Sequence, residues 1–172
     1  AMKQVAPIRK ALGVKTFFNM LGPMVNPAFP THQMVGVFNL ELARIYGYLY
    51  QKTDKTYSIV HALDGYDEVS LTGPTKVISR HTESVLVPED FGVSVLSATD
   101  IAGGESVASA AKIFVDILSG KGTTAQNQVV AANAALAINT VTGMGVIPAF
   151  EQSMESLKNG SALKKLHQLQ AL

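Results

Sequence analysis

Cysteine is missing from the 172 residues, which excludes disulfides and thiolate metal sites. The same absence fits a reducing compartment. Charge is scarce. Only 16% of residues are charged, and 14 basic against 13 acidic side chains leave a formal net charge of +1. So small a balance gives no electrostatic footprint for nucleic acid and no polybasic patch for a membrane surface. No run of about 18 apolar residues occurs, so no segment is expected to span a bilayer. No basic stretch followed by an apolar core opens the sequence, so no signal peptide is expected. Internal repeats and low-complexity tracts are also missing, which sets solenoids and disordered arrays aside.

What is present is apolar. Hydrophobic residues make up 47% of the chain, enough for a sizeable core in one domain, or in one domain and a fragment of another. Ala1–Pro7 reads as the middle of a helical segment without a capping residue, so the chain is expected to begin inside a longer protein. Residues 2–13 carry apolar positions three and four apart, and Thr16–Leu21 reads as a short second helix. Gln33–Phe38 is a short β-prone run, Asn39 suits a helix N-cap, and Thr56–His61 is a second β-prone run. Strand, helix, strand at this spacing predicts a parallel βαβ unit. Val69–Leu71 and Lys76–Arg80 flank Thr72-Gly73-Pro74-Thr75, which predicts an antiparallel hairpin. Ser84–Val87 reads as a further strand. Helices are expected over Gly104–Leu118, Thr123–Thr140, Pro148–Lys158 and Ala162–Ala171. In the second of these, Thr123 and Gln126 have capping-box spacing, and small or apolar side chains all round predict the central buried helix.

Four places carry candidate chemistry. Gly22-Pro23 and Asn26-Pro27 break the chain twice within a few residues and fix a stiff apolar loop. With Arg9 upstream, such a loop suits a flat, anionic small molecule, the alternative being a plain linker beside a solvated Arg. Asp67 and Glu68 follow the carboxyl end of the second predicted strand, where open parallel sheets bind ligands. On a loop both acids can turn toward one cation, and Mg2+ takes one or two carboxylates plus phosphate oxygens; the alternative is a solvated turn. Asp64 before Gly65 reads as turn chemistry. His61, at the strand end, is a candidate acid/base or a hydrogen-bonded structural residue. Gly103-Gly104 is a weak phosphate-binding candidate, because Glu105 sets a negative charge beside it. His32, His81 and His167 have no partners at zinc-ligand spacing.

The order of these pieces points to a family. Arg9-Lys10-x-Leu12-Gly13-x-x-Thr16-x-Phe18-Asn19-x-Leu21-Gly22-Pro23-x-x-Asn26-Pro27, then Val60-His61, Gly65-x-Asp67-Glu68, Pro88-x-x-Phe91-Gly92, Gly103-Gly104 and Asn133-Ala134-Ala135, resembles the anthranilate phosphoribosyltransferases along essentially the whole chain. The resemblance implies an α/β fold of the nucleoside phosphorylase/phosphoribosyltransferase type: a mostly parallel sheet flanked by helices, a short antiparallel hairpin, and a remnant of a small helical domain. Residues 1–28 would be that remnant and hinge, and 29–172 the C-terminal part of the α/β domain. It implies transfer of the phosphoribosyl group of 5-phosphoribosyl 1-diphosphate to anthranilate in tryptophan biosynthesis, with Mg2+ required. Arg9 would contact the anthranilate carboxylate, Gly22 and Pro23 would line the anthranilate pocket, and Asp67 and Glu68 would bind the metal on the diphosphate. No protein nucleophile is expected. A cytoplasmic location and a homodimer of the full-length protein are implied, without nucleic-acid or membrane partners. The family's Gly-Thr-Gly-Gly-Asp loop and Lys-His-Gly-Asn segment are missing here, so the chain alone is expected to be inactive. The rival readings are a pyrimidine nucleoside phosphorylase relative and a non-catalytic binding paralogue.

Overall fold

The computed structural model describes residues 18–172. The chain divides into two compact units, Ala1–Thr31 and His32–Leu172. In the first unit a single helical turn, α1 (Phe18–Leu21), runs into a 3-10 turn over Gly22–Val25. Pro23 opens that turn, where its missing N–H has no helical acceptor to lose. The helix predicted over residues 2–13, and Arg9 with it, lies outside the described residues.

The second unit is built on a four-stranded sheet whose order, β1-β2-β3-β4, is the order of the chain. Strand β1 (His32–Gly36) pairs in parallel with β2 (Thr56–Ala62). Helix α2 (Leu40–Gln51) connects them, capped by Asn39, whose side chain accepts from the Leu42 amide at 2.8 Å. Strands β3 (Thr75–Ser79) and β4 (Glu83–Leu86) continue the sheet antiparallel. The fold is therefore α/β with a mixed sheet and an antiparallel hairpin, its parallel element being the β1–β2 pair.

The hairpin is not the one the sequence predicts. Val69–Leu71 forms no strand, and the hairpin is instead β3 and β4, joined through residues 80–82. Two physical facts explain the difference. Both backbone polar groups of Val69 are hydrogen-bonded by the side chain of Asn133, which leaves nothing for a strand ladder. Leu71 then adopts φ +58°, a left-handed conformation incompatible with a strand.

Strand β2 is buried from Tyr57 to Ala62, as a strand covered on both faces must be. Alternate residues point to opposite sides. Tyr57 meets Tyr50 of α2, ring centroids 5.1 Å apart. Ser58 and Val60 face the other layer, which is dominated by helix α4 (Thr124–Thr142). The predicted capping box opens α4: the Thr123 hydroxyl accepts from the Gln126 amide and the Gln126 side chain accepts from the Thr123 amide, at 3.2 and 3.0 Å. Gly143 closes it in the left-handed conformation. Ala131, Ala132, Ala135 and Leu136 pack with Val60, Val69, Leu71 and Phe91 into one core; small side chains let α4 approach closely. Phe150 of α5 (Val146–Lys158) completes it, edge-on to Phe91 at 6.2 Å.

Helix α3 (Val107–Leu118) starts at Ser106, and α6 (Ser161–Gln170) ends the described fold. Along α3 Ile117 is buried, while Val107 and Phe114 are exposed. The stripe facing the unit runs through Ile113 and Ile117 and leaves Phe114 outside it.

Candidate functional site

The acidic pair sits on the segment between β2 and β3, and that segment is held from several sides. Its start is a tight turn: the Gly65 amide donates to the Ala62 carbonyl and the Ala62 amide to the Tyr66 carbonyl, both at 2.9 Å. Its end is tied back by the Leu63 amide, which donates to the Pro74 carbonyl at 2.8 Å. Asp64 works as expected of turn chemistry and also gathers hydroxyls, accepting from Ser70 at 3.3 Å and from Thr72. The Thr72 hydroxyl in turn lies 2.8 Å from that of Ser70. Asp64 is thereby occupied with the loop itself.

Asp67 and Glu68 are both exposed and, among the described residues, form no salt bridge. Beneath Asp67 lies Gly36, the last residue of β1. A Cβ there would overlap the Asp67 carbonyl oxygen and stand 2.9 Å from its carbonyl carbon, so only glycine admits this approach. Directly after Glu68, Val69 is gripped by Asn133 of α4. The Asn133 Oδ1 accepts from the Val69 amide at 2.9 Å, and Nδ2 donates to the Val69 carbonyl at 2.8 Å and to the Val129 carbonyl at 2.9 Å. Glu68, Gly103, Gln126 and Asn133 line one cavity of about 370 Å³. The structure thus brings Gly103, noted for a phosphate, into the same cavity as one acid of the pair.

His61 is buried at the end of β2, and its Nδ1 donates to the Val37 carbonyl at 2.8 Å. It secures the chain leaving β1, the structural alternative offered for it. In the first unit Gly22 is exposed and Pro23 half-buried. The second break is an Asn-centred turn, with the Ala28 amide donating to Asn26 Oδ1 at 3.0 Å and the Phe29 amide to the Asn26 carbonyl at 3.1 Å.

Two adjacent carboxylates with free oxygens are hard donors. No cluster of three or more His, Asp or Glu side chains stands at a cation-binding spacing among the described residues. The donor set therefore fits a cation that draws its remaining ligands from water and from phosphate oxygens, the habit of Mg2+. Sequence reasoning gave Asn133 no role beyond its place in the Asn133-Ala134-Ala135 piece of the resemblance. Nothing else set it apart, since α4 also carries Gln126, Asn127, Gln128 and Asn139.

The sequence model of the glycosyl transferase family, a/b domain, matches residues 1–163. The chain belongs to this glycosyl transferase family. Within the family it is 61% identical, over all 172 of its residues, to the anthranilate phosphoribosyltransferase of Flavobacterium johnsoniae, and covers 52% of that protein. Its fold matches that of anthranilate phosphoribosyltransferase from Saccharomyces cerevisiae in complex with PRPP and Mg at a TM-score of 0.85 and 29% identity, covering 96% of this chain and 48% of that one. The yeast enzyme in complex with 4-fluoroanthranilate matches at 0.86 and 28%, covering 96% and 50%. This glycosyl transferase chain thus spans about half the length of the relatives it matches. Among its described residues, no helix is long and apolar enough to cross a membrane.

Proposed function

We propose that this chain is the C-terminal portion of an anthranilate phosphoribosyltransferase, transferring the phosphoribosyl group of 5-phosphoribosyl 1-diphosphate to the amino group of anthranilate in tryptophan biosynthesis. The observation that carries the reading is the 61% identity along the whole chain to the Flavobacterium johnsoniae enzyme. Residues 1–28 are then what remains of a helical domain, and 29–172 part of the α/β domain. The full-length protein is a cytoplasmic homodimer.

In this reading Arg9 meets the carboxylate of anthranilate as a charge-assisted pair, and Gly22 and Pro23 form one wall of its pocket. Asp67 and Glu68 hold Mg2+ on the diphosphate. The metal supplies charge neutralisation for the leaving pyrophosphate. The bond from the ribose carbon to the diphosphate oxygen breaks while the anthranilate nitrogen bonds to that carbon, and the nitrogen then loses a proton. Positive charge gathers on the ribose as the bond breaks. The chain's contribution is to bind the acceptor and to fix the two carboxylates beforehand. The exposed, unpaired state of both acids and the rigid loop beneath them support this assignment.

The test is a chimera in which this chain replaces the corresponding half of the Flavobacterium johnsoniae enzyme. Anthranilate fluorescence should fall with time in the presence of 5-phosphoribosyl 1-diphosphate and Mg2+. Asp67→Asn and Glu68→Gln should each strongly reduce the rate, and the 172-residue chain alone should give no turnover. A folded, dimeric chimera without activity would overturn the reading.

A further inference from the structure

We propose that Asn133 is a positioning residue for the Asp67–Glu68 pair, an inference that rests on the function proposed above. A helix interior is a poor place for asparagine, whose side chain competes for backbone groups. In α4 that tendency is directed outward. The carboxamide of Asn133 takes both the N–H and the C=O of Val69, the residue after Glu68, at 2.9 and 2.8 Å. Its remaining hydrogen goes to the Val129 carbonyl one turn back at 2.9 Å, which fixes the rotamer. One side chain thus does for Val69 what a neighbouring strand would do, without extending the backbone into a ladder.

The consequence reaches the acids. Val69 is buried in the core, so its Cα cannot drift, and its peptide groups are locked to a 19-residue helix. The peptide between Glu68 and Val69 supplies the gripped N–H, so the direction in which Glu68 leaves the loop is set by Asn133. Upstream, the Asp67 carbonyl is seated against Gly36. The pair is held at both ends while its carboxylates stay exposed. That is the arrangement a shared cation requires: fixed backbone, free oxygens. Only an amide of this length fits. Aspartate lacks the donors, and glutamine moves the group by a methylene.

The experiment compares the 172-residue chain with Asn133→Ala, Asn133→Asp and a control, Asn139→Ala. Asn139 lies on the same helix and donates to the Met144 carbonyl at 2.7 Å, away from the acids. Amide hydrogen exchange reads the clamp, and Mn2+ line broadening of the Asp67 and Glu68 amides reads the cation site. The expected result is faster Val69 exchange, shifted Asp67 and Glu68 resonances, and Mn2+ affinity weakened by about tenfold in both Asn133 variants, with none of these in Asn139→Ala. Asn133→Asp keeps an acceptor for the Val69 amide and guards against loss of folding in the alanine variant. Folded Asn133 variants with unchanged acid-pair resonances and unchanged Mn2+ affinity would overturn the proposal. A wild-type chain whose Asp67 and Glu68 amides ignore Mn2+ would instead overturn the metal reading, while the exchange and shift data still decide whether Asn133 positions the loop.

Discussion

Gly36 and Asp67 touch backbone to backbone: the end of β1 lies where any side chain at position 36 would overlap the Asp67 carbonyl. The contact joins the parallel strand pair to the acidic loop. Gly36→Ala must therefore push the Asp67 peptide outward or bend β1. Overpacking of this kind costs about 1–3 kcal/mol. Urea denaturation should detect the loss, and the largest amide shifts should fall at Asp67 and Glu68.

His61 is bonded to the Val37 carbonyl and is 6% exposed. His61→Leu leaves that carbonyl without its imidazole partner, at a cost of about 1–3 kcal/mol. Because the histidine acts on the fold, the same change in the chimera should lower the melting temperature and leave the pH profile of turnover unchanged. A shifted profile would assign His61 a chemical role.

Between sheet and helix, the hydroxyls of Ser58 and Thr140 are 2.7 Å apart and buried, and Thr140 also donates to the Leu136 carbonyl at 2.7 Å. Thr140→Val keeps the shape and strands the Ser58 hydroxyl, costing about 1–3 kcal/mol. Adding Ser58→Ala should restore part of the loss, since both polar partners are then gone. A double-mutant cycle by denaturant unfolding measures the coupling.

Alkaline pH offers a fourth check. Burial, with a smaller contribution from Tyr46, pushes the Tyr50 phenol up from its ordinary 10.0 to about 12. The folded state therefore favours the neutral phenol. Its contribution to stability is complete below the ordinary value and is lost as pH rises from there through about 12. Tyr50→Phe should flatten the fall in stability over that window, read by circular dichroism with absorbance at 295 nm reporting phenolate.

Legibility in the sequence followed the range of the forces involved. The Asn39 cap, the Thr123–Gln126 box and the strand over Thr56–Ala62 are local signals, and each sits within a residue or two of its expected place. The hairpin was misplaced because what removes Val69 from a ladder is Asn133, 64 residues away. Along α3 the limit is the same: periodicity says which residues share a side, and only packing says which side is covered. Asp67 and Glu68 were visible as adjacent acids. The backbone supports that fix them were not legible as supports: a glycine at a strand end, Gly36, carries no pattern by itself, and Asn133 stood in the resemblance without a role.

The strands lie side by side in the order in which they occur along the chain. Each strand after β1 can find its partner across a short connection, the longest being the helical crossover from β1 to β2. The entropy lost in closing each loop is correspondingly small, and pairing can proceed strand by strand without waiting for a distant segment. Helix α4, which comes from beyond the last strand, then serves as the lock: by docking it adds the grip of Asn133 on Val69 to the local ties of the acidic loop.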